Sequence, residues 1–361
     1  MQSHEKKFLH SLLLTGAEYD AVEKLAALES FEQAWKADRG ALHAAGLSEE
    51  RSTAIEEGRN RLNPDEEMRK LVAQNIALAA KGDPEFPQEL LEIAQPPFAL
   101  YIKGRLESGK PRLAVVGTRK ATQYGREATR KLIRDLADHT EIEIVSGLAQ
   151  GIDGEAHRAA LEYGLKTQGI LGSGMDRNSF FPYEHWNLAE EMLKKGGAVV
   201  SEYPPGAPAL PHHFPARNRI IASLSKGVLV VEAPEKSGVN HTVRFALEQG
   251  REVFAVPGPM FSPNAAGVHR LIQDGAKLVT SADDIIEELG LPRRSQQEKA
   301  ETVLTGETEK TILEILSEPT SVDELKEKTN MSTPEIVTTL SLLELKGFIR
   351  PMGQNRFQRI S

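Results

Sequence analysis

Residues 214–221, Phe-Pro-Ala-Arg-Asn-Arg-Ile-Ile, place Arg217, Asn218 and Arg219 at the predicted start of a helix. Guanidinium groups beside the free amides of a helix N-terminus hold phosphate by charge and by donated hydrogen bonds. Phe214, just ahead of them, offers a face for an unpaired base. The competing reading pairs Arg217 or Arg219 internally with Glu232 or Glu202 and puts Phe214 in the core. A second stretch, 146–160, reads Ser-Gly-Leu-Ala-Gln-Gly-Ile-Asp-Gly-Glu-Ala-His-Arg-Ala-Ala. An apolar run (Ile142, Ile144, Val145) precedes it, and Ala156, Ala159, Ala160 and Leu161 follow at helical spacing. Ser146 then ends a strand, Gly147, Gly151 and Gly154 form a turn, and Asp153 is placed to cap a helix. Such a turn lets backbone amides approach an anion, although three spaced glycines alone are a weak signal.

Catalytic chemistry finds less support. Asp153 and His157 stand four apart, as half of a metal site would, but no third ligand follows at useful spacing. A cap and a surface histidine are expected instead. There is no Gly-x-Ser-x-Gly elbow, and Gly172-Ser173-Gly174 does not supply one; no pair of carboxylates stands out for acid–base work. The chain has no cysteine, which excludes disulfides, thiolate zinc sites and cysteine nucleophiles. A nicotinamide or flavin dinucleotide also fits poorly. The first strand-to-helix turn has one glycine, Gly117, where Gly-x-Gly-x-x-Gly is expected, and the second strand ends Val145-Ser146 without an acid to grip a ribose. A Walker lysine motif is absent. No cofactor or metal is expected.

The elements that must carry these residues follow from periodicity. From Pro111 to about Leu289 short Val/Ile/Leu runs alternate with helical patterns, the mark of a parallel sheet covered on both faces. Strands are expected at 113–116, 141–145, 167–171, 198–202, 227–232 and 252–256, and helices near 124–138, 154–164, 186–195, 216–224, 240–249 and 266–274. In such a sheet ligands sit beyond the carboxyl ends of the strands. The loops there are Gly117-Thr118-Arg119, Ser146 to Gly154, Gly172-Ser173-Gly174, Tyr203-Pro204-Pro205-Gly206, Ser237-Gly238-Val239-Asn240 and Pro257-Gly258. Six such loops on one rim point to an extended site for a polyanion or a large ligand. Arg119, Ser146 and Asn240 join the candidates by position.

Charge does not oppose this. The net charge is −8, yet binding depends on where charges sit. Residues 110–134 hold eight basic side chains (Lys110, Arg112, Arg119, Lys120, Arg126, Arg130, Lys131, Arg134) against one acid, Glu127. Several belong to a solvated helix face, whereas Arg119 and Lys120 directly follow a strand.

Four segments are expected. Residues 1–64 form a small helical domain of sterile-alpha-motif or helix-hairpin-helix type, whose Leu14-Thr-Gly-Ala-Glu-Tyr turn lacks the second glycine of a DNA-binding hairpin. Residues 65–291 form the Rossmann-like core, opening with a helix over 65–82 and a strand-like run, 98–102, that ends at Gly104. Residues 292–308 are polar and read as a linker. Residues 309–361 read as a winged helix, with capping boxes at Ser321/Glu324 and Ser332/Glu335, a stop at Gly347 and a hairpin turn at Met352–Asn355. Its third helix carries Glu335 and Glu344 where a groove reader carries basic or amide residues. The wing supplies Arg350, Arg356 and Arg359, so weak DNA contact or protein contact is expected there. No apolar run approaches bilayer length, and the N-terminus lacks a signal-peptide core, so a cytoplasmic location without a membrane span is expected.

Gly117-Thr118-Arg119, Ser146-Gly-Leu-Ala-Gln-Gly-Ile-Asp, Gly172-Ser-Gly, Ser201-Glu-Tyr-Pro-Pro-Gly, Phe214-Pro-Ala-Arg-Asn-Arg-Ile-Ile-Ala and Val256-Pro-Gly occur in this order. Together they strongly resemble the bacterial DNA-processing protein A family (DprA, also called Smf), over about residues 75–290. The resemblance implies a non-enzymatic protein that binds single-stranded DNA in natural transformation. It would protect incoming strands and load RecA recombinase onto them as a homodimer, with single-stranded DNA-binding protein a further candidate partner. By motif, Arg119, Phe214, Arg217 and Asn218 would contact the strand, and Gly147 and Gly172 to Gly174, Ser173 included, would line the phosphate path. Some relatives place a lysine shortly before the phenylalanine; here Pro211-His212-His213 stands there, which would weaken the affinity or make it depend on pH. Two other readings predict different chemistry. Rossmann-like hydrolases of nucleotide N-glycosidic bonds carry Pro-Gly-Gly-x-Gly-Thr-x-x-Glu, which this chain lacks, and a protein-interaction scaffold would act through its winged helix.

Overall fold

The computed structural model describes residues 3–294, 307–329, 331–345, 348–353 and 355–360. Most of the linker expected over 292–308, the helix stop at Gly347 and one residue of the turn at Met352–Asn355 lie outside the described residues. The chain divides into two compact units, Met1–Pro292 and Arg293–Ser361.

The first unit opens with six helices: α1 (Ser3–Leu14), α2 (Tyr19–Ala26), α3 (Phe31–Lys36), α4 (Arg39–Ala44), α5 (Glu49–Arg61) and α6 (Pro64–Ala73). Ser30, Asp38, Ser48 and Asn63 each accept a backbone N–H as N-caps, satisfying donors that a helix start leaves orphaned. Helix α6 stops at Ala73. Asn75 adopts the left-handed conformation, φ +56°, after which β1 (Ile76–Ala80) pairs antiparallel with β2 (Ala99–Gly104). The helix expected over 65–82 is therefore too long. Ile-Ala-Leu-Ala-Ala is good helix composition, but pairing with β2 decides its conformation.

The alternation then runs β3 (Arg112–Val116), α7 (Gln123–His139), β4 (Glu143–Ser146), α8 (Ile152–Glu162), β5 (Thr167–Leu171), α9 (Trp186–Lys194), β6 (Ala198–Ser201), α10 (His213–Ser223), β7 (Gly227–Val230), α11 (Val239–Glu248), β8 (Glu252–Ala255), α12 (Ala266–Gln273), β9 (Lys277–Leu278) and α13 (Ala282–Glu288). The sheet order is β1-β2-β6-β5-β4-β3-β7-β8-β9. Strands β3 to β8 are mutually parallel where they pair, and β2 joins β6 antiparallel. Alternate residues of one strand serve opposite cores: Leu113 and Val115 pack with α7, α8 and α13, while Ala114 and Val116 pack with α10, α11 and α12. Both faces are covered, as the unbroken apolar strands require.

The helical domain is not a separate bead. Phe8, Leu12, Leu25, Trp35 and Ile55 share one apolar cluster with Leu78, Tyr101, Leu171 and Met175. The same seam holds a 2.8 Å hydrogen bond between His10 Nδ1 and the Tyr101 hydroxyl and a 2.6 Å Lys6–Asp83 pair. The expected border at residue 64 falls on the first residue of α6, inside one unit.

The second unit contains α14 (Glu307–Ile315), β10 (Thr320–Ser321), α15 (Val322–Thr329), α16 (Thr333–Leu345), β11 (Ile349–Gly353) and β12 (Arg356–Arg359). The strands are ordered β10-β12-β11. Ile312, Leu316, Leu325, Ile336, Leu340 and Leu343 form its own core. Ser321 and Glu324 exchange the two hydrogen bonds of a capping box. This is a winged helix. Among the described residues of either unit, no helix is long and apolar enough to cross a membrane.

Candidate nucleic-acid interface

The turn after β3 is fixed from both sides. Thr118 N–H donates to Glu232 O at 2.7 Å, Thr118 O accepts from Ile152 N–H at 3.2 Å, and Asn264 Nδ2 donates to Lys120 O. Arg119 and Lys120 project from this clamped backbone and are exposed; among the described residues no carboxylate pairs with either. Their neighbours in the basic stretch behave differently. Arg112 is buried against Glu143, Arg130 pairs with Glu155 and Glu162, and Lys131 and Arg134 both reach Asp135. The N-terminus of α7 is already occupied by an anion of the protein itself: Glu232 accepts from Thr122 N–H at 2.9 Å and from Thr122 Oγ1 at 2.6 Å.

The turn after β4 folds inward. Ser146 is buried and donates from Oγ to Val115 O at 2.6 Å. Gly147 N–H donates to Asp153 Oδ2 at 3.0 Å, and Gly147 O accepts from Arg217 Nη1 at 2.9 Å. Arg217 Nη1 also donates to Ile170 O, and Nε donates to Asn218 Oδ1 at 3.2 Å. Burial pushes the Asp153 carboxyl up to about 6, against the opposing pull of Arg217, and burial lowers Arg217 to about 10. A charged guanidinium therefore sits beside a carboxylate in the interior. A Cβ on Gly147 would stand 2.6 Å from Arg217 Nη2 and 2.7 Å from Asp153 Oδ2, so only glycine leaves room for the pair. Gly151, at φ +78°, occupies the N-cap position of α8 with its Cα against Thr118 O.

Several sequence expectations change here. Asp153 does not cap α8; its carboxylate turns back to the preceding loop. His157 is not a surface residue: it is fully buried with Nδ1 2.6 Å from Thr167 Oγ1, and burial pushes it down to about 3. Ser146, Gly147 and Arg217 have their polar groups engaged inside the protein, so they shape the rim and do not line its surface. Ser173 and Gly174 are likewise buried; Ser173 O accepts from Ser201 Oγ, and Gly174 N–H donates to Ala207 O. Arg219 is the internal pairing foreseen as the competing reading, bonded to Glu202 at 2.7 Å and to Gln95 O at 2.9 Å. Asn240 is exposed at the start of α11 and donates to Glu235 O.

What reaches the surface is an aromatic and arginine cluster. Helix α10 starts at His213, and the Phe214 ring lies on Gly172, where an added Cβ would be 3.1 Å from Cδ1. The Arg119 guanidinium carbon sits 5.4 Å from the centre of the half-buried Phe214 ring. On another side the Phe181 ring lies 5.6 Å away at 59°. Phe181 and Tyr183 are 43% and 52% exposed, and Arg177 donates to the Tyr183 hydroxyl. Asn218 is half-buried one helical turn along. Of the residues selected from sequence, the fold brings Arg119 and Phe214 together over Gly172. It adds Phe181, Tyr183 and Arg177, whose signal was the run Phe180-Phe181-Pro182-Tyr183 in a loop following the third parallel strand.

A model for DNA recombination-mediator protein A matches residues 77–290, and a model for the DprA winged helix domain matches residues 296–355. The chain belongs to the DNA recombination-mediator protein A family. It is 43% identical over 290 residues to Protein Smf of Escherichia coli, which is 77% of each chain. Among solved structures it is similar to DNA processing protein A from Streptococcus pneumoniae, at 36% identity and TM-score 0.65, covering 78% of this chain and 97% of that one. It is also similar to DNA processing protein A from Helicobacter pylori, at 26% identity and TM-score 0.52, covering 59% of this chain and 95% of that one; that structure was described for its single-stranded DNA binding mode. Every motif picked from sequence, from Gly117 to Gly258, falls within the span of the recombination-mediator model.

Proposed function

We propose that this recombination-mediator family member binds single-stranded DNA across the Arg119–Phe214–Phe181 cluster. The observation that carries the reading is the unpaired Arg119 guanidinium over the Phe214 ring on a clamped backbone. Such a cluster supplies a phosphate contact and a stacking face together, which is what binding without sequence readout needs. Lys120, Asn218 and Asn240 extend the track, and the Arg217–Asp153 pair holds it from beneath. Binding, not bond cleavage, is the activity proposed. The bound strand would be handed to RecA recombinase during natural transformation by a homodimer in the cytoplasm, with single-stranded DNA-binding protein a further partner.

Fluorescence anisotropy with unrelated oligonucleotide sequences tests the first part. Binding should be salt-sensitive, indifferent to sequence and weaker for duplex, and Arg119→Ala should lower both affinity and salt slope. An unchanged Arg119→Ala titration would overturn the assignment. RecA strand exchange on DNA coated with single-stranded DNA-binding protein tests the second part, and no stimulation by the protein would leave a binding module alone.

A further inference from the structure

The segment Pro211-His212-His213, directly ahead of Phe214, belongs to a different cluster. Glu18 occupies the N-cap position of α2, yet its side chain makes no capping hydrogen bond. His212 occupies the N-cap position of α10 and likewise caps nothing. His212 Nε2 lies 3.3 Å from Glu18 Oε1, and His213 Nε2 lies 3.8 Å from the same oxygen. One ligand atom from each of the three side chains lies within 4.8 Å of the others.

His213 is the informative member. It is 3% exposed, and among the described residues neither ring nitrogen lies within hydrogen-bond distance of a partner, with Glu18 Oε1 standing 3.8 Å from Nε2. The Tyr203 ring stacks on it at 3.8 Å and 18°, fixing the imidazole plane. A buried, oriented imidazole whose nitrogens make no close hydrogen bond is uncommon, because a buried polar atom left unsatisfied keeps its full desolvation penalty. A ligand that binds the lone pair removes that cost.

We propose that Glu18, His212 and His213 bind a divalent transition ion, zinc by preference. Two imidazoles and a carboxylate are borderline donors that suit zinc, and three protein ligands with a water in the fourth position form one of its regular coordination sets. Zinc bonds of about 2.0–2.2 Å place the corners of a tetrahedron about 3.3–3.6 Å apart. The Glu18–His212 edge already has that length, and the Glu18–His213 edge must close by a few tenths of an ångström. The cluster forms part of the lining of a cavity of about 570 Å³ between the helical domain and the core. The cations that line this cavity are already engaged, Arg219 with Glu202 and Arg51 with Gly16 O. The ion joins the start of α2 to the start of α10. It therefore fastens the helical domain to the residue directly before Phe214.

A second His/Glu cluster, His4–Glu5–Glu32, is surface-lying and supplies the internal control. Metal-stripped, tag-free full chain is titrated with Co²⁺ and with Zn²⁺ in buffer without chelating groups. The wild type and His4→Asn should bind one ion per chain, give the visible absorption of tetrahedral Co²⁺, and unfold at a higher temperature with Zn²⁺. Glu18→Gln and His212→Asn alter exposed side chains and should fold normally. Each should weaken binding by at least the roughly 10–100-fold that loss of an outer-shell partner costs, and should abolish the thermal shift. His213→Asn should do the same. No saturable binding at one ion per chain, or binding that survives Glu18→Gln and His212→Asn, or binding lost only in His4→Asn, would overturn the proposal. None of these measurements involves DNA, so they stand or fall apart from the strand-binding reading.

Discussion

Arg217 and Arg119 serve the same rim, one beneath it and one on it. Arg217 is enclosed, with its donors on Gly147 O, Ile170 O and Asn218 and its charge facing Asp153. Arg119 is open to solvent over the face of the Phe214 ring, and among the described residues no carboxylate pairs with it. The buried arginine ties the turn after β4 to strand β5, whereas the exposed one retains its donors for a ligand. Identical side chains thus divide into a structural cation and a binding cation through their surroundings alone.

The largest effect expected from breaking this contrast is in the interior. Arg217→Met should cost about 3–5 kcal/mol of stability, because it strands the Asp153 carboxylate in a dry site. Urea unfolding measures it, and the double variant with Asp153→Asn should lose less than the two single losses added. If Arg217→Met instead leaves stability unchanged and abolishes DNA binding, the two arginines have been assigned the wrong way round. Next comes the surface. Phe214→Ala should weaken oligonucleotide binding by about 1–3 kcal/mol, the usual contribution of one base–aromatic stack. Arg119→Ala should flatten the salt slope by about 0.7, the value for one phosphate on a single strand, with stability within about 0.5 kcal/mol of wild type. The smallest effect should come from Arg350→Ala with Arg359→Ala in the wing, a lesser loss of affinity than Arg119→Ala alone.

Acid sensitivity sharpens the same contrast through three interior groups. Burial holds His157 at about 3 and His10 at about 4, against an ordinary 6.5. The unfolded chain binds these protons and the folded chain resists them, so their contribution is complete above 6.5 and is lost as pH falls toward 3–4. Asp153 acts oppositely: its raised value makes the folded state hold the proton more tightly, so its share of stability declines as pH rises from about 4 to about 6. Two depressed histidines outweigh one raised carboxyl, and melting temperature should fall steeply below pH 6.5. His157→Gln should flatten that limb; an unchanged limb would show that His157 is not the group responsible.

The parallel core was legible because a strand buried on both faces has to be apolar throughout. The runs at 113–116, 198–200 and 228–231 therefore announce themselves, and the loops beyond them follow by topology. Residues 76–80 were misread because alanine and leucine suit a helix as well as a strand, and only β2 decides between them. The rim motifs lie in the loops beyond the strands, but the direction of their polar groups was not legible. Gly147 and Ser146 looked like phosphate donors because a glycine turn before a helix has the same sequence whether its amides face solvent or an internal carboxylate.

The sequence by itself determined the alternation of elements, the rim on which six loops meet, the winged-helix tail and the kinship of the chain. These depend on local periodicity and on ordered motifs, which are written along one dimension. Tertiary structure alone decided which arginine is buried, that Phe181 and Phe214 meet, that the helical domain shares its core with the sheet, and that Glu18 comes to His212 and His213 across 194 positions. Burial and charge pairing are properties of neighbours distant in the chain, and no local pattern encodes which neighbours those will be.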